Sequence, residues 1–351
     1  RVSAWDIGTA FTYKFLEQGL DERGEFWRIL DYAESPTSKD YYFLNHRGAV
    51  WRYDGNKGDF DYSYAQRALS LRERRTSISM GSTGKLVGIG TDKGYIWIFP
   101  TDAKGVPFTI EHAQQALTIQ AEDFPARVQF SPGDHRAVTT GPDRVARVWA
   151  LTAPLHKTED GYAFLTSEDG LISEIGDVSR FHEVFRGLSD LPLIKGDVVA
   201  AAFGDTESEL VSAHTDATVR VWRVSKNRPQ ELMKFPLAPG SSVSSVQKSG
   251  SLILVGLTNG AAELYSLQGG AATKPNQVMS YPHASSGGFP QQMTARLSRD
   301  NGLVLTSTPF SYPKVWSTTT GELVLHINRL ESLAIEADFS PDGRRLIVRC
   351  V

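Results

Sequence analysis

"VQFSPGDHRAVTTGPDRVARVWAL" (Val128 to Leu151) has a second copy in the same chain, "AAFGDTESELVSAHTDATVRVWRV" (Ala201 to Val224). In both, a Phe precedes a Trp by 19 residues: Phe130 to Trp149, and Phe203 to Trp222. Between these markers short runs of alternating apolar and polar residues are broken by Gly, Pro, Asp and Ser. A period of two with such breaks is the pattern of half-buried strands joined by tight turns.

The same spacing recurs from Ile78 to Trp97, Val246 to Tyr265 and Leu297 to Trp316, and less cleanly from Tyr32 to Trp51. Repeats come before motifs in reading a chain, because units of 20 to 50 residues bury their faces only against one another. The closing aromatics fall at Trp5, Trp51, Trp97, Trp149, Trp222, Tyr265 and Trp316, at intervals of 46, 46, 52, 73, 43 and 51 residues. Each unit is expected to hold four strands. Strands a and b flank a turn of the "SPDG" kind, c carries the aromatic, and d follows.

The chain ends on "ADFSPDGRRLIVRCV" (Ala337 to Val351), which supplies strands a and b of a seventh unit and no more. Two strands alone are marginal in water and leave an open edge. "RVSAWDI" and "FTYKFLE" near the start are expected to add strands c and d to that sheet. The competing expectation places the missing strands in neighbouring sequence. The opening at Arg1, directly on a strand pattern, leads us to expect a piece cut from a longer protein.

Asp143 and Asp216 stand six residues before Trp149 and Trp222, and Asn259 stands at the matching place before Tyr265. Thr139, Ser212 and Thr306 stand ten before their aromatics. In these features and in unit length the chain resembles the WD-repeat family over nearly its whole length. The resemblance implies an all-β, seven-bladed β-propeller with four antiparallel strands per blade, residues 1–351 forming one domain. It also implies structural roles for Thr139, Asp143, Trp149, Ser212, Asp216, Trp222, Thr306 and Trp316, joined by a loop His that has no identifiable counterpart here. The loose regularity of the repeats is similar to bacterial sensor or scaffold propellers. That likeness implies a covalently linked effector domain beyond this sequence and a cytoplasmic location.

Composition sets outer limits. The 351 residues are 40% hydrophobic and 22% charged, with formal net charge −3, so no global charge favours nucleic acid or an anionic membrane. The single cysteine, Cys350, excludes an internal disulfide framework. No apolar run approaches the 18 residues of a membrane-spanning helix.

Chemical motifs are sparse. "SMGSTGKLV" (Ser79 to Val87) brushes against a phosphate-binding loop but has Ser79 and Leu86 where Gly and Ser/Thr belong, and it occupies an a–b turn. The eight histidines show no metal-ligand spacing, so neither metal nor cofactor is expected. His214 reads as a satisfied loop residue. A propeller enzyme would need titratable groups converging on the axis from strand a of several blades. The stretches "VVAAAF", "ARVQF", "SISM" and "SSVSSV" are small and apolar apart from Arg127, so no catalytic residue is expected.

The expected role is a non-catalytic platform or sensor that binds a protein or peptide through its loops. The contact residues expected are Asp92, Pro142, Thr215, Asn259, Phe310 and Tyr312. The 153–197 insertion adds Phe181 and Phe185, with a hairpin turning at Asp169-Gly170. A nucleic-acid-binding propeller would use Arg67 to Arg75, where Glu73 breaks the charge.

Overall fold

The computed structural model of the chain describes residues 2–7, 12–16, 29–38, 40–45, 50–54, 59–66, 75–91, 95–100, 117–120, 127–141, 144–151, 156–157, 163–165, 171–175, 197–225, 229–267, 276–282, 293–308, 311–327, 334–340 and 343–350. Every regular element among them is a β-strand. Among the described residues no helix is long and apolar enough to cross a membrane.

The strands pair into separate twisted sheets. Sheet I takes β3 (Ile29–Glu34), β4 (Tyr41–Asn45), β5 (Val50–Asp54) and β6 (Asp59–Gln66) in that order. Sheet III takes β11 (Arg127–Phe130), β12 (Arg136–Thr140), β13 (Ala146–Ala150) and β16 (Leu171–Ile175). Sheet IV takes β17 (Val198–Phe203), β18 (Glu209–His214), β19 (Thr218–Arg223) and β20 (Gln230–Pro236). Sheet V follows with β21 (Val243–Ser249), β22 (Leu252–Leu257), β23 (Ala261–Ser266) and β24 (Asn276–Pro282). Sheet VI has β25 (Thr294–Leu297), β26 (Leu303–Ser307), β27 (Lys314–Ser317) and β28 (Leu323–His326).

These five sheets have the expected a-b-c-d form from consecutive strands; of the other two, sheet VII is assembled from both chain ends as expected, and sheet II departs from the four strands expected. Sheet II starts regularly with β7 (Arg75–Met80), β8 (Leu86–Thr91), β9 (Tyr95–Pro100) and β10 (Leu117–Gln120), then gains β15 (Ala163–Leu165) and β14 (His156–Lys157) beyond β10. Sheet VII joins the two ends of the chain: β29 (Ala334–Phe339) and β30 (Arg345–Cys350) continue into β1 (Val2–Asp6) and β2 (Thr12–Leu16). β1 runs antiparallel to β30, with Trp5 opposite Leu346.

The extra strands of sheet II overturn one local reading. The stretch from Gly161 to Ile175 was expected to fold as a hairpin on itself. Instead β15 lies parallel to β10, and β16 pairs with β13 as the fourth strand of sheet III. The chain thus leaves sheet III after β13, adds two strands to the rim of sheet II, and returns. The physical reason is edge satisfaction: β10 and β13 each offer an unpaired rim, and a short hairpin would have left both open.

Neighbouring sheets stack through apolar clusters. One cluster joins sheets I and II (Tyr42, Leu44, Ile78, Ile89), another sheets II and III (Ile96, Ile98, Phe130, Trp149). Similar clusters join III to IV, IV to V, V to VI, and VI to VII. Gly88 shows how closely they approach, since a Cβ there would lie 2.7 Å from Val128 Cγ1. The contact between sheets VII and I has a different character. There the Tyr32 hydroxyl donates to the Ile347 carbonyl at 3.4 Å, and charged side chains surround it.

Candidate functional site

Antiparallel order puts all a–b turns at one end of the sheets and all b–c turns at the other. At the a–b end, carboxylates of one sheet capture the turn of the next. Asp134, held at φ 61°, accepts the Ser82 amide at 2.6 Å and the Thr83 amide at 3.1 Å. The loop that brushed against a phosphate-binding pattern therefore does present amides to an anion, and the anion is Asp134. Glu207 in turn accepts the Gly133 amide at 2.7 Å and the Ser131 hydroxyl. Asp205 accepts the Gly250 amide at 3.0 Å and pairs with the buried Lys248, which also reaches Glu209 at 3.0 Å. Sheets II, III, IV and V are thus clipped in series.

Within sheets III, IV and VI, the closing aromatics donate to the hydroxyl ten residues before them. Trp149 Nε1 donates to Thr139 at 3.0 Å, Trp222 to Ser212 at 2.7 Å, and Trp316 to Thr306 at 2.9 Å. His214 proves to be buried and extends one of these bonds, its Nε2 lying 2.7 Å from Ser212 Oγ. Asp216 does not join that chain. It caps its own turn through the Thr218 amide and hydroxyl and pairs with Arg220 at 3.0 Å. Burial opposes its charge, but Thr218, Arg220 and Lys234 together hold its carboxyl below the usual range. Asp143 lies outside the described residues, as do Asp92, Pro142, Phe310, Phe181, Phe185 and the run from Arg67 to Arg74.

Three expected contact residues are described, all at the b–c end. The Thr215 amide donates to the Asp197 carbonyl at 2.8 Å, just before β17. Asn259 is exposed, and its Oδ1 accepts the Ala261 amide at 3.0 Å across its own turn. Tyr312 is half-buried, its ring edge-on to His326 at 6.2 Å between centroids. The antiparallel order of the sheets brings them to one end.

A third constellation was missed in the sequence. The four apolar strand-a stretches came from sheets II to V, whereas strand a of sheets I, VI and VII carries Asp31, Arg296, Glu336 and Asp338. Arg296 Nε lies 3.4 Å from Asp338 Oδ2, and Arg349 Nη2 lies 3.1 Å from Glu336 Oε2. Asp338 sits deep among the sheets, yet its side chain is 43% exposed. Its carboxylate is therefore open to solvent. Asp31 accepts the Ile78 amide of sheet II and the Tyr32 amide, both at 2.9 Å. Burial first, then the Glu336 charge, pushes its carboxyl up to about 7 against the pull of these amides and Arg349. Burial raises Asp338 too, against Arg296. The spacing that located strand a could have found three of the four: Asp31, Arg296 and Asp338 immediately precede Tyr32, Leu297 and Phe339. Among the described residues no cluster of His, Cys, Asp and Glu is placed to hold a metal ion.

No family model matches the chain. Human striatin-4 is 27% identical over 169 residues, a stretch covering 43% of this chain and 20% of striatin-4's own length. Among solved structures, a chain in the crystal structure of the mitotic checkpoint complex superposes with a TM-score of 0.61 at 13% identity, covering 92% of this chain and 86% of that one. The β-propeller domain of Myceliophteria thermophila Cps50 (Swd1) superposes with a TM-score of 0.62 at 9% identity, covering 92% and 97%. At these identities the structural likeness speaks for the fold, and the fold is a β-propeller.

Proposed function

We propose that this WD-repeat β-propeller is a non-enzymatic platform that binds a protein partner through its b–c end. We further read sheets I to VII as seven blades of one ring, sheet II enlarged by the insertion and sheet VII closing the circle from both chain ends. The observation that supports the binding role is the difference between the a–b clips and the b–c turns that carry Asn259 and Tyr312. At the a–b end, Asp134, Glu207, Asp205 and Lys248 are engaged in holding one sheet to the next. At the b–c end Arg144 joins sheet III to sheet IV through the Val198 amide and Asp197, whereas the contacts of Asn259 and Tyr312 lie within their own sheets, so those two turns can vary without loosening the stack. The similar proteins point the same way, one of them being part of a named checkpoint complex.

The test is site-specific photo-crosslinking in cells. A crosslinker at Asn259 or Tyr312 is expected to give discrete protein adducts, and one at Ser82 or Thr206 is expected to give few. Equal labelling from both ends would defeat the reading.

One observation favours a channel enzyme instead, namely the charged residues on three innermost strands. Their carboxylates are already engaged, Asp338 by Arg296 and Glu336 by Arg349, which supports a structural role.

A further inference from the structure

The outermost strand of a sheet leaves a row of backbone groups open, and such an edge is ordinarily blunted by charge or proline. β2 carries Lys14, β6 Asp59 and Asp61, β16 Glu174, β20 Lys234 and Pro236, and β24 ends on Pro282. Two outer strands hold no carboxylate, lysine, arginine or proline: β10 (Leu117 to Gln120) and β28 (Leu323 to His326). The chain covers the first with β15. The second ends its sheet, with no strand beyond it among the described residues. Leu323 and Val324 are 46% and 50% exposed, the two most exposed large apolar side chains among the described residues. A bulge against β27 leaves Val324 without a partner on that strand. The two ends of this edge differ in charge. Glu322 precedes β28 and is exposed, while Lys314 stands opposite His326 at the far end, over the Trp316 ring at 5.7 Å. Among the described residues neither Glu322 nor Lys314 is in an ion pair.

We propose that β28 pairs antiparallel, about a two-fold axis, with β28 of a second copy of this chain, joining the two sheets VI into one. The backbone is turned for it. The Ile327 amide points inward to the Pro313 carbonyl at 3.2 Å, so the His326 amide, one residue earlier, points to the open edge. The charges select the second copy as occupant. Antiparallel pairing sets the Glu322 end of each strand against the Lys314 end of the other, so one attraction is made twice by symmetry. Burial first, then the Lys314 charge, lowers the His326 pKa, so at neutral pH the cation at that end is Lys314. Between the charged ends, Leu323 and Val324 of each copy leave water against those of the other. Four residues make a short edge, and the association is accordingly weak and concentration-dependent. The proposal concerns the rim of sheet VI and does not rest on binding at the b–c turns.

Sedimentation velocity of the whole chain over a dilution series tests it. The wild-type chain should pass from monomer to dimer as concentration rises, and Val324→Lys should raise the dissociation constant about tenfold or more, because like charges then face each other at the centre of the edge. Val324 is exposed, so circular dichroism of that variant should be unchanged. Glu322→Lys and Lys314→Glu should each weaken the dimer about fivefold, and the two together should restore it, since opposite charges meet again. Should Val324→Lys fail to fold, this charge exchange decides alone. A chain that stays monomeric up to about 1 mM would overturn the proposal and leave the edge to a strand of another protein. A dimer indifferent to a folded Val324→Lys, or a charge exchange that weakens it by the product of the two single effects, would overturn it equally.

Discussion

Trp222 and His214 are joined through one oxygen: the indole donates to Ser212 Oγ, and the same Oγ lies within hydrogen-bond distance of the imidazole, both at 2.7 Å. The hydroxyl accepts from the indole and has one proton and a second lone pair with which to meet Nε2. Sheet III has the simpler form, Trp149 to Thr139, with Gly141 at the place of His214. Ser212→Ala strands two polar groups, whereas Thr139→Val strands one. The first should cost about 2–4 kcal/mol and the second about 1–2. Urea unfolding of both variants checks the order, and equal costs would show that His214 does not depend on Ser212.

Sheet V solves the same problem with different residues. Its aromatic is Tyr265, Val255 stands where sheets III, IV and VI have a hydroxyl, and Tyr265 donates to Glu263 on its own strand. The position two before the aromatic is a cation in sheets III, IV and VI, namely Arg147, Arg220 and Lys314, and is Glu263 here. Tyr265→Trp alone should destabilise by about 1–3 kcal/mol, because the indole N–H meets Val255. Adding Val255→Thr should recover about 1 kcal/mol, a coupling that a double-mutant cycle measures directly.

The a–b clips predict a steric effect and a polar effect at one place. A Cβ on Gly81 would lie 2.4 Å from Asp134 Oδ2, so Gly81→Ala must push the carboxylate off the Ser82 and Thr83 amides. Asp134→Ala removes the same acceptor without the clash. Both are expected to cost about 1–3 kcal/mol, and the double variant no more than the larger single one. Additive losses in thermal or urea unfolding would mean that Gly81 acts through something other than Asp134.

What the sequence disclosed and what it hid divide along the same physical line. Period-two patterning and the Phe-to-Trp spacing are local, and they located strands a, b and c and the indole partners Thr139, Ser212 and Thr306. Long-range choices among competing edges leave no such trace. Nothing in "YAFLT" shows that it will lie beside Leu117–Gln120 in preference to the strand that follows it. The clips were hidden for a related reason: Asp134 and Glu207 look like ordinary turn residues until another sheet's amides arrive. Asp216 misled in the opposite sense, being placed as expected yet bound to Thr218 and Arg220 of its own turn. Asp31 and Asp338, each immediately before a strand-a marker, were legible but passed over, since only four of the strand-a segments were weighed.

The strap over sheet II yields the sharpest structural test. β15 lies parallel on the outer edge of β10, and β14 pairs with β15, so three chain segments share a rim that one repeat would leave open. Alternate amides of β10 point to β9 and to β15. Replacing residues 156–165 by a flexible Gly/Ser linker should therefore expose every second amide of Leu117–Gln120 while β9, β12 and β13 keep their protection. The cost in stability should be small, because few residues pair, but the bared rim should promote association at high concentration. Exchange mass spectrometry reads the first effect and light scattering the second. Loss of protection throughout sheets II and III would mean that the strap supports the stack rather than covering its edge, and unchanged β10 protection would remove the pairing from the native state.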